Sequence, residues 1–475
     1  MSYASAVESL LALGHELHAT PSAKFDLANM RVLLEALGHR ERRFSSVLVA
    51  GTNGKGSTAA TLASILEAAG YRTGLYTSPH LLRVNERIRV TGLEISDDEF
   101  AEAHARVEES AQGLVAAGSL SWHPSFFEML TAMSFEHFAH TAVRVAVLEV
   151  GMGGRLDATN VVEPAVSVIT DIALDHQKFL GSTIAEIARE KAGIIRPRGT
   201  VVTLPQHPEA NDVLGNAILE RDARSVNAVP YVPPVSPGAL TFSQGHGSAG
   251  RAFRPDSRSD RAVEVQPENR ALAPEGLRWR YPLEVLGETI TVDSPLIGRH
   301  QLRNLALAIA AAAELNSQGF PLTARDIERG IRQTRWRGRL EVLPAAAGRP
   351  QVLLDAAHNP AGAWALRSAL SELAGERPVT LVFGAMRDKA IAEMAEILFP
   401  LAAHVVATRA QNPRSATPEE VRAAAVRLGE EIAVEPDVPA ALRRAFTLAG
   451  ADGLVVVAGS IYIIGEAINA LELSS

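Results

Sequence analysis

The feature that most confines this chain is a strand-to-helix junction, Ser45-Ser46-Val47-Leu48-Val49-Ala50-Gly51-Thr52-Asn53-Gly54-Lys55-Gly56-Ser57-Thr58. The apolar run Val47 to Ala50 predicts a buried strand. A helix is predicted from Ser57 to Ala69, with Ala59, Leu62, Ala63 and Leu66 on one face. Between them lies a glycine-rich turn carrying one lysine, the layout of a phosphate cradle. Gly51, Gly54 and Gly56 let the backbone approach a polyphosphate, Lys55 supplies a mobile charge, and the helix N-terminus adds its positive dipole end. Ser57 or Thr58 offers a hydroxyl to Mg²⁺. The match to G-x-x-x-x-G-K-[ST] is incomplete: Val49 stands at its first glycine and Gly56 at its Ser or Thr. A plain structural turn would explain the glycines but not the lysine set among them.

Around this junction apolar strands alternate with helices. Val143 to Val150 ends at Glu149, Ala165 to Thr170 leads to Asp171 and Asp175-His176, and Val201 to Leu204 follows. That alternation predicts a mainly parallel sheet with ligands outside the strand carboxyl ends. Glu149 is then the expected Mg²⁺ carboxylate, although capping or ion pairing would also place it there. The Arg-rich stretch Leu81 to Val90 reads either as a solvated loop or as a lid over an anionic substrate. After Arg335-Trp336-Arg337-Gly338-Arg339, taken as a hinge, five more strands begin at Val352, Val379, His404, Ile432 and Leu454. The fold class is therefore α/β: a P-loop-type N-terminal ATPase domain over 1–335, and a smaller doubly wound, Rossmann-like C-terminal domain over 339–475 that lacks G-x-G-x-x-G. The 475-residue length requires more than one core.

The stretch 231–280 is rich in Pro, Gly and Ser without apolar periodicity and reads as a flexible insertion. Replacing residues 240–275 by a short Gly/Ser linker is expected to leave activity within about twofold, as for other exposed insertions. A large loss at unchanged Tm would assign the insertion to the site.

Composition closes off several classes. A net charge of −8 argues against a general nucleic-acid binder, and zero cysteines remove disulfides, thiolate metal sites and a cysteine nucleophile. The chain start carries Glu8 and Glu16 without a basic run, unlike a secretory leader. No uncharged apolar run reaches bilayer length. The expectation is a cytoplasmic monomer without membrane or nucleic-acid partners.

Two further places carry chemistry. Asp355-Ala356-Ala357-His358-Asn359-Pro360 closes the first strand of the second unit; Asn359 and Pro360 suit a helix start, which leaves Asp355 and His358 unexplained. Lys191 falls on the apolar stripe of a helix capped by Ser182-Thr183 and ended near Gly193 and Pro197. Read from its helix alone, it is a helix-end lysine reaching for water. Burial would instead leave a neutral amine able to add CO₂.

Taken together, the segments resemble the Mur-ligase superfamily and, within it, folylpolyglutamate synthase and the bifunctional dihydrofolate synthase. The resemblance rests on Gly51 to Ser57, Thr77-Ser78-Pro79-His80-Leu81, Val84 to Ile88, Pro124 to Glu128, Glu149 to Asn160, Leu174-Asp175-His176, Glu190 to Ile194, His300-Gln301 with Asn304, Asp355 to Pro360, and Gly459-Ser460. It runs in family order from about 46 to 460. Trp336 precedes Arg337-Gly338-Arg339 where a Pro is usual before Gly-Arg, Ala356 replaces a Gly, and Ser125 a Thr.

The resemblance implies ATP-dependent amide formation, joining L-glutamate to dihydropteroate, to a reduced folate, or to both, through an acyl phosphate. It implies ATP contacts at Thr52, Asn53, Gly54, Lys55, Gly56, Ser57, Asn304, Arg339 and Asp355. The metal ligands become Ser78, Glu149 and His176, for two Mg²⁺ sites with allowance for K⁺ or another monovalent cation. Ser125, Phe126, Phe127, Glu128, Leu156, Asp157 and Ala158 become the pterin pocket. His358 helps place glutamate or the acyl phosphate, and Lys191 is carbamylated beside the metals. Two other readings stand beside this one: a Mur-type peptidoglycan amino-acid ligase, and a non-ligase P-loop ATPase whose second unit binds a protein.

Overall fold

The structure, a computed structural model, describes residues 2–14, 27–233, 277–346, 348–429 and 431–472. Residues 240–275 of the expected insertion lie outside them. Among the described residues the first large sheet has eight strands: β1 (Ser45–Ala50), β2 (Thr73–Tyr76), β3 (Ile88–Val90), β4 (Leu93–Glu94), β5 (Val145–Glu149), β6 (Val166–Ile169), β7 (Thr200–Thr203) and β8 (Arg224–Asn227). Their order is β4-β3-β2-β5-β1-β6-β7-β8. Pairing is parallel from β2 through β8, while β3 and β4 add an antiparallel edge.

The strands are apolar on both faces because helices cover both. In β1, Leu48 and Ala50 enter one core while Val47 and Val49 enter the other. In β5, Ala146 and Leu148 alternate with Val145 and Val147 in the same way. One layer includes helices Asp97–Ala116 and Phe126–His140; the other includes Lys55–Ala68, Arg299–Ser317 and Ala324–Gln333. A hairpin of β9 (Trp279–Val285) and β10 (Glu288–Ser294) packs on helix Ala324–Gln333. Strand β9 starts at Trp279, two residues before Tyr281, where strand-like alternation was expected to begin, because Trp279 is itself a core residue.

The second sheet contains β11 (Glu341–Leu343), β12 (Gln351–Asp355), β13 (Val379–Phe383), β14 (His404–Ala407), β15 (Ile432–Val434) and β16 (Leu454–Ala458). Their order is β11-β12-β16-β13-β14-β15, all parallel except β11. Val455 and Val457 face one core, Leu454 and Val456 the other. Among the described residues, no helix is long and apolar enough to cross a membrane.

β1 lies between β5 and β6, the point where the chain's progress across the first sheet reverses. Loops diverge there, leaving a crevice at the strand carboxyl ends. The carboxyl end of β12 in the second sheet faces the same crevice.

Candidate active site

Gly54 has φ of +88° and precedes the first helical residue. The helix therefore starts at Lys55, two residues earlier than the apolar pattern indicated, and its free N–H groups open at the lysine. A Cβ on Gly54 would lie 2.1 Å from Asn304 Oδ1, so the loop is packed against the helix bearing Asn304. Lys55 Nζ donates to the Thr52 carbonyl at 3.1 Å, folded back over its own loop. The Thr58 hydroxyl turns away to the Asn304 carbonyl at 3.4 Å, whereas Ser57 lines the cavity. Ser57 is therefore the hydroxyl available to a nucleotide-bound cation.

One cavity of about 940 Å³ is lined by every residue expected at the site. Thr52 to Ser57, Asn304, Arg339, Asp355 and His358 surround its polar centre, with Ser78, Glu149, His176 and Lys191 beside them. Ser125 to Glu128 and Leu156 to Ala158 line the apolar end. The strand ends of both sheets supply this wall: Glu149 closes β5 and Asp355 closes β12.

Glu149 is buried, and its Oε2 accepts from the Ser78 backbone N–H at 3.1 Å. His176 adopts a left-handed φ of 50°, and its buried Nδ1 has no hydrogen-bond partner. Burial, only partly opposed by Asp175, pushes its pKa down to about 3, so the ring is a neutral donor. Among the described residues no three His, Cys, Asp or Glu side chains form a self-sufficient metal cluster. One carboxylate, one neutral imidazole and one serine suit Mg²⁺, which completes its shell with phosphate oxygens and water.

Lys191 does not reach water. Its side chain is 3% exposed, and Nζ donates to the Gly51 carbonyl at 2.8 Å, at the start of the cradle. Burial first, then the charge of Lys55, lowers its pKa to about 7. The helix-end explanation is thereby overturned: the stripe carrying Lys191 packs inward, and Gly193 and Arg155 are too close for the last turn to lift away. Asp157 is buried too, accepting from Met152 N–H at 3.0 Å and from Thr159. Burial pushes its carboxyl up despite those bonds.

Asp355 accepts from Leu340 N–H at 2.9 Å and Ala357 N–H at 3.0 Å, and Ala356 N–H donates to the Gly338 carbonyl at 3.0 Å, which ties the end of β12 to the 335–339 linker. Asn359 caps its helix through Gly362 N–H at 2.8 Å, with Pro360 at the first turn. Its amide also donates to Asn53 Oδ1 at 2.9 Å and to Asp175 Oδ2 at 3.1 Å. Capping and site building therefore share one side chain.

Asp175 and Lys389 were not singled out as site residues, yet they meet across the crevice. Lys389 Nζ donates to Asp175 Oδ1 at 2.6 Å, both side chains buried, and His358 Nε2 lies 3.5 Å from Asp175 Oδ2. Burial alone would raise the Asp175 carboxyl. His358, His176 and Lys389 outweigh it and hold the carboxyl well below the usual range. The sequence does carry a signal for Lys389: it lies in the polar run Arg387-Asp388-Lys389 just past β13.

The Arg-rich stretch is part buried and part solvated. Arg87 is buried, donates to His80 Nδ1 at 2.9 Å and lies 5.3 Å from the Phe126 ring centre. Arg83 pairs with Asp97 and Arg89 with Glu94. Arg83 stays about half exposed, so that end of the stretch is solvated.

Comparison with known proteins matches this arrangement. Residues 49–218 match the Mur ligase middle domain and 338–461 the Mur ligase glutamate ligase domain. The dihydrofolate synthase/folylpolyglutamate synthase of Bacillus subtilis is 32% identical, over 93% of this chain and 93% of its own length. A probable bifunctional folylpolyglutamate synthase/dihydropteroate synthase of Haloferax volcanii is 35% identical over 95% of this chain, which spans half the length of that relative. The solved bifunctional folylpolyglutamate synthase/dihydrofolate synthase of Yersinia pestis, complexed with AMPPNP and Mn ion, superposes with TM-score 0.75 at 29% identity, covering 99% of this chain and 98% of that one. With the P-loop, the strand-end carboxylates and a second sheet closing one cavity, the chain belongs to the folylpolyglutamate synthase/dihydrofolate synthase family of Mur ligases, enzymes that form an amide bond.

Proposed function

We propose that this protein couples ATP hydrolysis to joining L-glutamate to dihydropteroate and to reduced folates, as a cytoplasmic monomer working as two domains, 1–335 and 339–475. The observation that carries the reading is the convergence of cradle, metal donors and apolar pocket on one cavity with the β12 end opposite.

A carboxylate is a poor electrophile, so its oxygen first takes the γ-phosphoryl group: a P–O bond to the carboxylate forms as the bond to ADP breaks. The glutamate amine then attacks the acyl carbon, loses its proton, and inorganic phosphate departs. Lys55 and the N–H groups opening Lys55–Ala68 face the charge that spreads over the phosphoryl oxygens. Asn304, Arg339 and Asp355 border the nucleotide end. His358, fixed by its Nδ1 contact to the Ala356 carbonyl at 2.9 Å and by Asp175 3.5 Å from Nε2, borders the reacting groups. Ser78, Glu149 and His176 would hold Mg²⁺, whose charge shields the converging anions. A second Mg²⁺ and a monovalent cation extend the same reading, with the Lys191 carbamate as the further anion. Phe126, Phe127 and Leu156 exclude water and stack on the pterin ring.

The match to the glutamate ligase domain favours this reading over a P-loop ATPase that binds a protein. The folate names of the relatives favour it over a peptidoglycan ligase. Phosphate release measured with dihydropteroate and with tetrahydrofolate, each with and without L-glutamate, is the test. Release that requires glutamate with both acceptors is expected. Activity with one acceptor alone would reduce the enzyme to a single-function ligase, and release independent of glutamate would remove the ligase reading.

A further inference from the structure

The apolar end of the cavity is closed by the connection between helices Asp97–Ala116 and Phe126–His140, with Trp122, His123 and Pro124 on the wall. Its start is held where Ser119 and Leu120 N–H both donate to the Leu114 carbonyl, at 2.9 and 3.2 Å. Its end is held by Ser125, which caps the second helix in a box with Glu128. Between those points His123 reaches back to the first helix: Nε2 lies 3.2 Å from Glu108 Oε2, while Nδ1 lies 2.9 Å from the Pro124 carbonyl. Each ring nitrogen thus lies beside an oxygen, one a backbone carbonyl and one a carboxylate, which sets the ring between the connection and the first helix. The Glu108 side chain is 14% exposed and the His123 side chain 26%, so the pair is shielded from bulk solvent. One turn before Glu108, His104 is fully buried with both nitrogens unpartnered. Glu108 also accepts from Gln112 Nε2 at 2.7 Å, which holds the carboxylate in place beside His123.

We infer that Glu108 and His123 are positioning residues for the pterin-bearing substrate, their contact pinning Trp122 and Pro124 across the ring pocket. This rests on the apolar end being the pterin site. Breaking the pair should loosen that wall without disturbing the phosphate cradle or the reacting atoms.

The test compares Glu108→Gln, His123→Gln, the double variant and Phe127→Ala for KM of dihydropteroate, KM of ATP and kcat, with Tm recorded for each. Each single change is expected to raise KM for dihydropteroate roughly tenfold, with kcat and KM of ATP within about twofold. The double variant should match the worse single one, because two groups acting through one contact are not additive. Additive effects, or a parallel fall in kcat and Tm, would overturn the pairing and leave a merely structural role. Unchanged KM in both singles, while Phe127→Ala raises it, would overturn the inference alone. Unchanged KM in Phe127→Ala as well would remove the pocket reading and the inference together.

Discussion

Lys55→Ala is expected to lower ligase turnover by about a thousandfold or more, the scale seen when a preorganised donor at developing charge is removed. The side chain makes one hydrogen bond, to Thr52 in its own loop, and sits at the first helical position, where alanine is well tolerated. Tm should therefore move little while phosphate release and amide formation collapse together. Measurement of both rates, with ATP affinity by calorimetry, separates lost binding from lost chemistry. Near-normal rates in this variant would remove the phosphate cradle as the catalytic centre.

Lys191→Ala is expected to lose most activity, about a hundredfold, and to regain part of it when formate or acetate is added, as for a removed charged group that acts by electrostatics. The proposal is that the buried amine adds CO₂ at Nζ, releasing a proton, and that the resulting carbamate helps hold a second metal near Glu149 and His176. With its pKa lowered to about 7, the amine is mostly neutral above that value and mostly ammonium below it. CO₂-dependent activity should accordingly fade as pH drops through 7, because protonation removes the nucleophile. The same shift has a stability sign. The unfolded chain holds this proton up to about 10.5 and the unmodified folded chain only to about 7, so unmodified protein gains stability as pH rises between them. A ¹³C-bicarbonate NMR spectrum should show a carbamate resonance that Lys191→Ala lacks. Identical spectra, with activity indifferent to CO₂, would return Lys191 to a packing role.

What was legible in the sequence is what short range determines. Alternating faces such as Val47/Val49 against Leu48/Ala50 announce a doubly covered sheet, and glycines around a lysine at a strand end announce the cradle. The strand-end rule also found Glu149 and Asp355, because position along a strand says where the side chain emerges. The rest depends on contacts that no local window contains. Lys389 meets Asp175 from 214 residues away, and its run of charges resembles any exposed loop. Arg87 looks solvated in sequence and is buried because His80 and the Phe126 ring receive it. Read from its helix alone, Lys191 misleads for a similar reason: a lysine in a last helical turn ordinarily escapes to water, and here the packing of that turn on Gly154 and Arg155 shuts the route.

The position after Lys55, glycine here and Ser or Thr in ordinary P-loops, is filled from outside. A Cβ on Gly56 would come within 2.8 Å of the Trp336 indole, and Arg89 lies 5.8 Å from the Trp336 ring centre on the linker side. The two halves of the protein are therefore not interchangeable modules. A chimera that grafts the second sheet of a relative after residue 335 takes the neighbour of Gly56 from the incoming chain, so any other residue there reshapes the cradle without altering one cradle residue. Recombination between family members has to move the crossover beyond Trp336, or carry that tryptophan with the loop it covers.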